Sequence, residues 1–334
     1  MSAYAAATQK GFGLIRSAKA LAANRGNIGD AERMAAGQYG EGSAPATILR
    51  AAVGPGTTTD PAWAHPLYQA ESVDLLAVVA QASILGRMPN VRRLPLKTAF
   101  RVAVSGLTGA WVTEARSIPV SAMSLAAADF APLQVGALVV ASDELMRSAS
   151  PLADTIFRND LTRALAFVID TALVDPLNLG LAGVRPASIT STVAATPAGS
   201  DPEADAATLI AGFGGDLATA VFIGGAARFG AMSSSASLDI GVRGGSIRGV
   251  PAIASTAATN LLVLLDAAAL ALVEDVIRII PATAASVEMN DTPIAGETEE
   301  VSLWQNNLAG LMAVQGINWT LARPNSVSFV DYGA

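Results

Sequence analysis

Few residues in this chain have the types and spacing that catalysis or metal binding needs. His65 is the single histidine and there is no cysteine, so a histidine-based catalytic triad or metal site would have to be built on one side chain. Thiolate ligands, cysteine nucleophiles and disulfides are excluded altogether. His65 stands between Ala64 and Pro66, which predicts a position in a loop. There it would either be exposed or contact the N-terminal arm of the chain. We therefore expect no catalytic residue, no metal site and no cofactor, and so no enzyme.

Two other patterns could bind ligands, and both have simpler explanations. The acidic run at 297–300 could hold a cation only if its carboxylates converged, so a solvated loop is the expected state. The glycine-rich segments 212–215 and 241–249 contain neither the phosphate-loop lysine nor a dinucleotide fingerprint. Turns therefore explain these glycines.

The composition predicts a chain that is covered by partners. Only 15% of the 334 residues are charged, against about 25% in an ordinary soluble domain, and the mean hydropathy is +0.44. The length favours two lobes. Apolar surface beyond what the cores can hide implies burial against other chains. We find no run of about 20 apolar residues that would predict a membrane span, and no secretory signal.

The charge is unevenly distributed. The net charge is -7 and the pI is near 4.8, which argues against a surface that binds nucleic acid everywhere. Residues 1–29 nevertheless carry four basic side chains and no acid, so the rest of the chain has -7 - 4 = -11; the four are Lys10, Arg16, Lys19 and Arg25. This basic arm either contacts DNA through phosphates or docks as a helix on an acidic neighbour, and both alternatives stay open.

The first half of the chain alternates helical and extended patterns. Helices are predicted over 12–23, from an Asp30 cap through Met34 toward Gln38, over 43–53, in a short piece capped by Ser142, and over Pro151–Asp175 with Pro151 at the first helical position. Strands are predicted over 100–105 and 133–141, with an irregular stretch at 112–132 between them.

The second half predicts an α+β lobe and then strands. Helices are expected over 202–213 and 226–232, with strands over 218–223, 250–254 and 261–265. The apolar run 261–273 is interpreted as a buried strand, a turn and a helix. Ile317, Trp319 and Leu321 alternate with polar residues and indicate another strand, and Val327 with Phe329 indicates the last one.

Several of these pieces, in this order, resemble the tailed-bacteriophage major capsid protein family. The most specific match is Trp111–Glu114 followed by Leu133–Val135 and Val139–Met146, a tryptophan-bearing loop before a long strand, a short acidic-capped helix and a long helix. The segments 51–53, 57–63 and 66–67 and the tail segments 302–307 and 319–324 also fit. The resemblance covers most of the chain and is weakest over 180–290. No N-terminal scaffolding segment of the kind found in many members is evident.

The resemblance implies an α+β, HK97-like fold. Its parts would be an N-terminal arm, partly helical, at 1–91; an extended loop, a β-hairpin, at 92–135; a peripheral domain with the spine helix at 136–182; an axial domain at 183–300; and C-terminal strands returning to the peripheral domain at 301–334. An isolated hairpin is marginal in water, so the extended loop should lie on a neighbouring subunit.

The function that the resemblance implies is a structural subunit of an icosahedral phage or prophage capsid. The chain would self-assemble into pentamers and hexamers in the host cytoplasm and enclose the DNA genome of the virion. Its partners would be itself and non-specifically contacted DNA, with portal, scaffolding and decoration proteins as further candidates and no membrane. The alternative is the shell of an encapsulin-type nanocompartment, which shares the fold; a soluble hydrolase or receptor-like binding protein is more distant.

Candidate contact residues follow from the same resemblance. The inter-subunit candidates are Trp111, Glu114, Arg92, Arg93, Lys97 and Arg101, and the DNA-facing or arm-docking candidates are Lys10, Arg16, Lys19 and Arg25. Some members crosslink a loop lysine to an asparagine, but Lys97 stands near the base of the loop, so we do not expect a crosslink. Trp304 is an interface candidate as well, whereas Trp319 is expected in the core.

Overall fold

The computed structural model describes residues 10–53, 65–95, 100–103, 125–128, 133–148, 150–233, 239–282, 285–289, 300–323 and 325–333. The α-helices are α1 Phe12–Ala23, α2 Ile28–Tyr39, α3 Ala44–Val53, α4 His65–Ala82, α5 Ile84–Arg87, α6 Asp143–Arg147, α7 Pro151–Val174, α8 Pro202–Ala211 and α9 Ala226–Met232. The strands are β1 Arg92–Leu94, β2 Phe100–Ala103, β3 Leu125–Ala128, β4 Leu133–Ser142, β5 Ala220–Gly224, β6 Ile240–Gly241, β7 Gly244–Ile247, β8 Val250–Ala254, β9 Leu261–Asp266, β10 Leu270–Glu274, β11 Arg278–Ala282, β12 Ser286–Glu288, β13 Glu300–Ser302, β14 Leu308–Leu321 and β15 Val327–Asp331.

Local signals placed several of these elements correctly. Helices α1 and α9 have the predicted bounds, and α7 begins at Pro151 and ends one residue before Asp175. The Ser142 hydroxyl accepts a hydrogen bond from the backbone nitrogen of Leu145 at 3.3 Å, so Ser142 caps α6 as its side-chain chemistry predicts. Caps and prolines act within one turn of helix, which is why sequence alone locates them.

Four local predictions were wrong. The cap of α2 is Asn27, whose side chain accepts from the backbone nitrogen of Asp30, so the helix begins before Asp30. His65 is the first residue of α4 and does not lie in a loop. Strand β3 lies inside the stretch predicted to be irregular and pairs antiparallel with β2. The segment after the turn at 267–269 is strand β10, where a helix was expected.

The last correction has a tertiary cause. Alanine and leucine favour helices, but β10 has β14 as an antiparallel partner, with Leu272 opposite Trp319, and β1 as a parallel partner. The turn before it is fixed by Asp266, whose Oδ1 accepts from the backbone nitrogen of Ala268 at 3.1 Å. Pairing on both edges therefore overrides the helix propensity of the run.

The chain divides into two compact units. The first unit comprises Met1–Ala82, Val135–Ala166 and Val276–Gln315. Its core joins Leu14 and Ile15 of α1 to Phe157 and Leu161 of α7 and to the sheet residue Leu311. In this sheet β14 pairs with β4 and antiparallel with β11. Ten of the twelve residues of α1 are buried, so the helix is enclosed on almost every side and not along a single apolar stripe.

The second unit comprises Ser83–Gln134, Phe167–Asp275 and Gly316–Ala334. Its six-stranded sheet has the order β15-β9-β5-β8-β7-β6, in which β5 and β8 are parallel. Every residue of β5 and β9 is buried, as expected for inner strands that are covered on both faces and read as continuous apolar runs.

The C-terminal strand differs from its expected place. Residues 301–334 were predicted to return to the peripheral domain, but β15 pairs antiparallel with β9, with Phe329 opposite Val263. The backbone nitrogen of Thr196 also donates to the Phe329 carbonyl at 2.8 Å. A two-residue alternation identifies a strand but carries no information about its partner, so sequence could not place it.

Candidate functional site

The described part of the chain contains no group of three or more histidine, cysteine, aspartate or glutamate side chains placed to hold a metal ion. Within the same residues, no helix is both long and apolar enough to span a bilayer. The described residues form buried clusters of charge and expose several large apolar side chains.

The main charged cluster of the first unit is centred on Asp154. Its carboxylate is completely buried in the first turn of α7. Arg16 Nε donates to Oδ2 and Lys19 Nζ donates to Oδ1, each at 2.8 Å. Both bases come from α1, where a spacing of three residues puts them on one face. Lys19 is 1% exposed and also donates to the carbonyl of Ser148.

Aromatic rings complete this cluster. The Arg16 guanidinium lies 5.0 Å from the centre of the Phe12 ring and 4.7 Å from that of Tyr39, and Arg158 lies 4.3 Å from Phe12. Such cation–π contacts are attractive and stronger where water is excluded. The Tyr39 hydroxyl donates to Asp154 Oδ2 at 3.4 Å. Burial, together with the Asp154 charge, raises the pKa of Tyr39 to about 12.

A second carboxylate holds the start of α1. The residue before this helix, Gly11, provides no side-chain cap, and Glu71 of α4 takes that role: its Oε2 accepts from the backbone nitrogen of Gly13 at 3.0 Å. An anion at a helix start is favourable because free amides and the helix dipole meet there. Burial raises the pKa of Glu71, and the Asp74 charge adds to this, while the hydrogen bonds from the Gly13 and Leu14 amides oppose it.

These contacts bear on the four basic candidates of the arm. Arg16 and Lys19 are bound to Asp154 of their own chain, so in this structure Lys19 is inaccessible to a phosphate. Lys10 is 55% exposed, with its ammonium 4.0 Å from Asp74. Arg25 is exposed and follows α1 with a left-handed φ of 51°. Sequence showed that these residues are basic and clustered, but it could not reveal the buried acid, 135 positions from Lys19, that holds two of them.

The inter-subunit candidates are described only in part. Arg92 and Arg93 are exposed in β1, and Arg93 Nη1 lies 2.8 Å from Glu274 Oε2, whose pKa is raised by burial and lowered by Arg93. Trp111, Glu114 and Lys97 lie outside the described residues, as does most of the acidic run at 297–300. Arg101 lies in β2, of which the backbone alone is described.

Three buried carboxylates stabilise the second unit. Asp170 accepts from Ser83 Oγ and the backbone nitrogen of Ile84 at 2.7 and 2.8 Å. Asp266 accepts from Thr219 Oγ1 at 2.6 Å, and Asp205 accepts from the hydroxyl of Tyr332 at 2.8 Å. Each carboxylate links segments that are distant in sequence, so no sequence motif could predict these contacts.

Large apolar side chains are exposed in both units. In the second unit, Leu177 and Leu179 are 87% and 75% exposed, and Leu181 and Val184 are exposed as well. In the first unit, Trp304 is 60% exposed. The sequence argument identified Trp304 but missed the leucines, although three leucines at alternate positions between Pro176 and Gly183 are a visible signal. Trp319 is buried, as expected.

Comparison with known proteins gives one strong relative in sequence. The capsid polyprotein of Pseudomonas phage PAJU2 is 32% identical over 369 aligned positions, which cover 98% of this chain and 55% of that protein. This chain thus spans about half the length of the relative. No family model matches the chain.

Solved structures agree on the fold. A chain from Mycobacterium phage Cain aligns with a TM-score of 0.53 at 15% identity and covers 76% of this chain and 90% of its own length. A chain from Mycobacterium phage Adephagia gives the same TM-score at 14% identity, with 76% and 89% covered. The chain is thus related over nearly its whole length to a phage capsid polyprotein, and it has the HK97-like fold that these solved phage structures share.

Proposed function

We propose that the chain is a structural subunit of an icosahedral phage or prophage capsid, which self-assembles into pentamers and hexamers that enclose the DNA genome. The relationship to a phage capsid polyprotein over 98% of the chain supports this role. The same relationship disfavours the nanocompartment alternative. The role is structural and involves no catalytic step.

The observation that carries the proposal is a set of exposed apolar side chains on a loop whose conformation is fixed by hydrogen bonds. Asn178 fixes the loop that bears Leu177 and Leu179: its Nδ2 donates to the carbonyls of Ala172 and Pro186 at 2.8 and 3.0 Å. Leucines held outward in this way stay exposed in a monomer. Contiguous apolar surface of this kind marks contact sites between proteins.

The proposed organisation follows the family. The arm at 1–91, the extended loop at 92–135, the peripheral domain at 136–182, the axial domain at 183–300 and the tail at 301–334 are its parts, with β15 assigned to the sheet of the second unit. Trp111, Glu114, Arg92, Arg93, Lys97 and Arg101 are proposed inter-subunit contacts. Lys10 and Arg25 are the proposed DNA-facing residues of the arm.

The proposed surroundings are the virion and, before it, the host cytoplasm. Copies of the chain are the principal partner, packaged DNA is contacted without sequence preference, and portal, scaffolding and decoration proteins are further candidates. Because each contact would join different surfaces of two copies, repetition closes rings and shells.

The test is assembly of the purified chain. Sedimentation and negative-stain electron microscopy at micromolar concentration should reveal closed particles with rings of five and six subunits. Particles formed in infected cells should protect DNA from nuclease, whereas a nanocompartment would enclose protein. A chain that stays monomeric across salt concentrations and pH values would contradict the proposal.

A further inference from the structure

Trp304 projects from a tight turn that is held rigid. The backbone nitrogen of Leu308 donates to the carbonyl of Leu303 at 2.8 Å, and Asn306 Nδ2 donates to the carbonyl of Ser302 at 2.9 Å. Asn307 has a φ of 51°, in the left-handed region that asparagine tolerates. Leu303 is fully buried beside the exposed tryptophan. The indole is therefore presented outward at little cost in entropy.

The start of α6 lies beside the turn that bears Trp304 and exposes one acidic and one apolar side chain. The backbone nitrogen of Asp143 donates to the carbonyl of Asn307 at 2.9 Å, which brings the start of α6 next to the turn. Asp143 is paired with Arg147 at 2.9 Å, whereas Glu144 and Leu145 are exposed. We call Trp304, Glu144 and Leu145 the Trp304 knob.

The second unit has a groove of complementary character. It encloses about 690 Å³, and its apolar walls include Leu179, Leu181, Ile189, Trp319 and Leu321. Among the described residues that line it, Arg185 alone is charged. We call this cavity the Leu179 groove. Its volume lies within the range of clefts that bind ligands.

Several polar groups of the groove have partners within the chain. Trp319 Nε1 donates to the carbonyl of Ala187 at 2.9 Å, and Ser191 Oγ donates to the carbonyl of Ser188 at 2.8 Å. The Ser188 hydroxyl lies 2.8 Å from that of Thr190. Together with the apolar walls and the charge of Arg185, these contacts favour an apolar occupant whose rim carries one negative charge.

We propose that the Trp304 knob of one subunit inserts into the Leu179 groove of a second copy, with Glu144 facing Arg185. The inference rests on the proposed self-assembly and specifies one of its contacts. The groove has apolar walls and Trp304 is an exposed apolar side chain, while Glu144 and Arg185 carry opposite charges. A tryptophan in an apolar pocket is the usual form of an energetic anchor at an interface. The contact joins two different surfaces, so repetition extends an assembly.

The first experiment measures the critical concentration for assembly of the full chain. Trp304→Ala should raise it at least about tenfold, because an anchor residue dominates its interface. Val242→Ala is the matched control, since Val242 is 59% exposed in the second unit and lies outside the knob and the groove. Glu144→Arg and Arg185→Glu should each weaken assembly, and the double variant should restore it.

The second experiment detects the contact directly. The chain has no cysteine, so a chain with Glu144→Cys can be mixed with a chain with Arg185→Cys and treated with a short bis-maleimide. The mixture should give crosslinked dimers within assembled particles, whereas Glu144→Cys mixed with Val242→Cys should not.

The outcomes separate the two proposals. If the wild-type chain assembles but Trp304→Ala assembles at the same concentration, and the Glu144 and Arg185 cysteines do not crosslink, the knob-in-groove contact is wrong and the capsid role stands. If the wild-type chain never assembles, the capsid role fails and this contact fails with it.

Discussion

Lys19 Nζ lies 2.8 Å from Asp154 Oδ1, and the two side chains are 1% and 0% exposed. Two charges are costly to remove from water, and such a pair persists only where further hydrogen bonds satisfy both partners. Arg16 and the Ser148 carbonyl provide them. The pair joins α1 to the start of α7, so α1 is an integral part of the first unit and not a loose arm.

Removing Asp154 should strongly destabilise the protein. Asp154→Ala leaves Lys19 buried without its counter-charge, so we expect the free energy of unfolding to fall by about 3–5 kcal/mol. Urea unfolding followed by circular dichroism measures this. Asp160→Ala is the control, because Asp160 is exposed on the same helix and should change stability by less than about 0.5 kcal/mol. Equal effects of the two variants would contradict a structural role for the buried pair.

The effect of Gly13→Ala should depend on Glu71. An added Cβ would lie 2.5 Å from the Glu71 carboxylate. When Glu71 is present, the carboxylate must therefore give up its hydrogen bond from the Gly13 amide, and we expect the free energy of unfolding to fall by about 1 kcal/mol. In a Glu71→Ala background the same change should stabilise by up to about 1 kcal/mol, because alanine favours helices over glycine. A double-mutant cycle of thermal unfolding checks this reversal; the same sign in both backgrounds would refute the proposed cap.

Asp170 should make the stability depend on pH. Burial raises the pKa of its carboxyl above the unfolded value of about 3.9, so the folded protein binds this proton more tightly than the unfolded chain. Its contribution to the free energy of unfolding is therefore greatest below the unfolded pKa and falls as pH rises through the folded pKa.

The non-titrating variant isolates this contribution. The stability of Asp170→Asn relative to wild type should rise between pH 4 and pH 7 in urea unfolding. Asp170→Ala should lose about 2–3 kcal/mol, because Ser83 and the Ile84 amide lose their acceptor. A difference between Asp170→Asn and wild type that is the same at every pH would rule out the titration.

A substitution in the turn between β7 and β8 should make the folded protein more stable. Arg248 and Gly249 have φ values of 52° and 85°, as in the two-residue turn that favours Asn-Gly. Arg248→Asn should therefore stabilise the protein by about 0.5–1 kcal/mol. Gly249→Ala should destabilise it because of the positive φ, although the space around its Cβ is open. Thermal unfolding of both variants is the measurement, and a destabilising Arg248→Asn would show that the arginine makes a compensating contact.

Much of the fold could be predicted because its signals are local. The Ser142 cap, Pro151 at the first position of α7 and the uninterrupted apolar run of β9 each act within a few residues. The order of these pieces was enough to indicate the capsid family. The helix expected at β10 failed because the competing influence, pairing with β14 and β1, comes from strands elsewhere in the chain.

The candidate surfaces were only partly accessible to sequence. The excess of apolar residues could be anticipated. Trp304 was an interface candidate whose exposure the sequence did not decide, and the alternating leucines before Gly183 were missed. The groove could not, because its lining combines a loop at 179–192 with residues 318–321 of β14.

By itself the sequence predicted several helices, among them α1, α7 and α9, and some of the strands. It also gave the resemblance to the capsid family and the absence of residues for cysteine or multi-histidine chemistry, since these follow from composition and short-range pattern. The tertiary structure alone decided that Lys19 and Arg16 bind Asp154, that β15 pairs with β9, and that Leu177 points into solvent. Burial and pairing are properties of segments far apart in the chain, and no local pattern encodes which of them will meet.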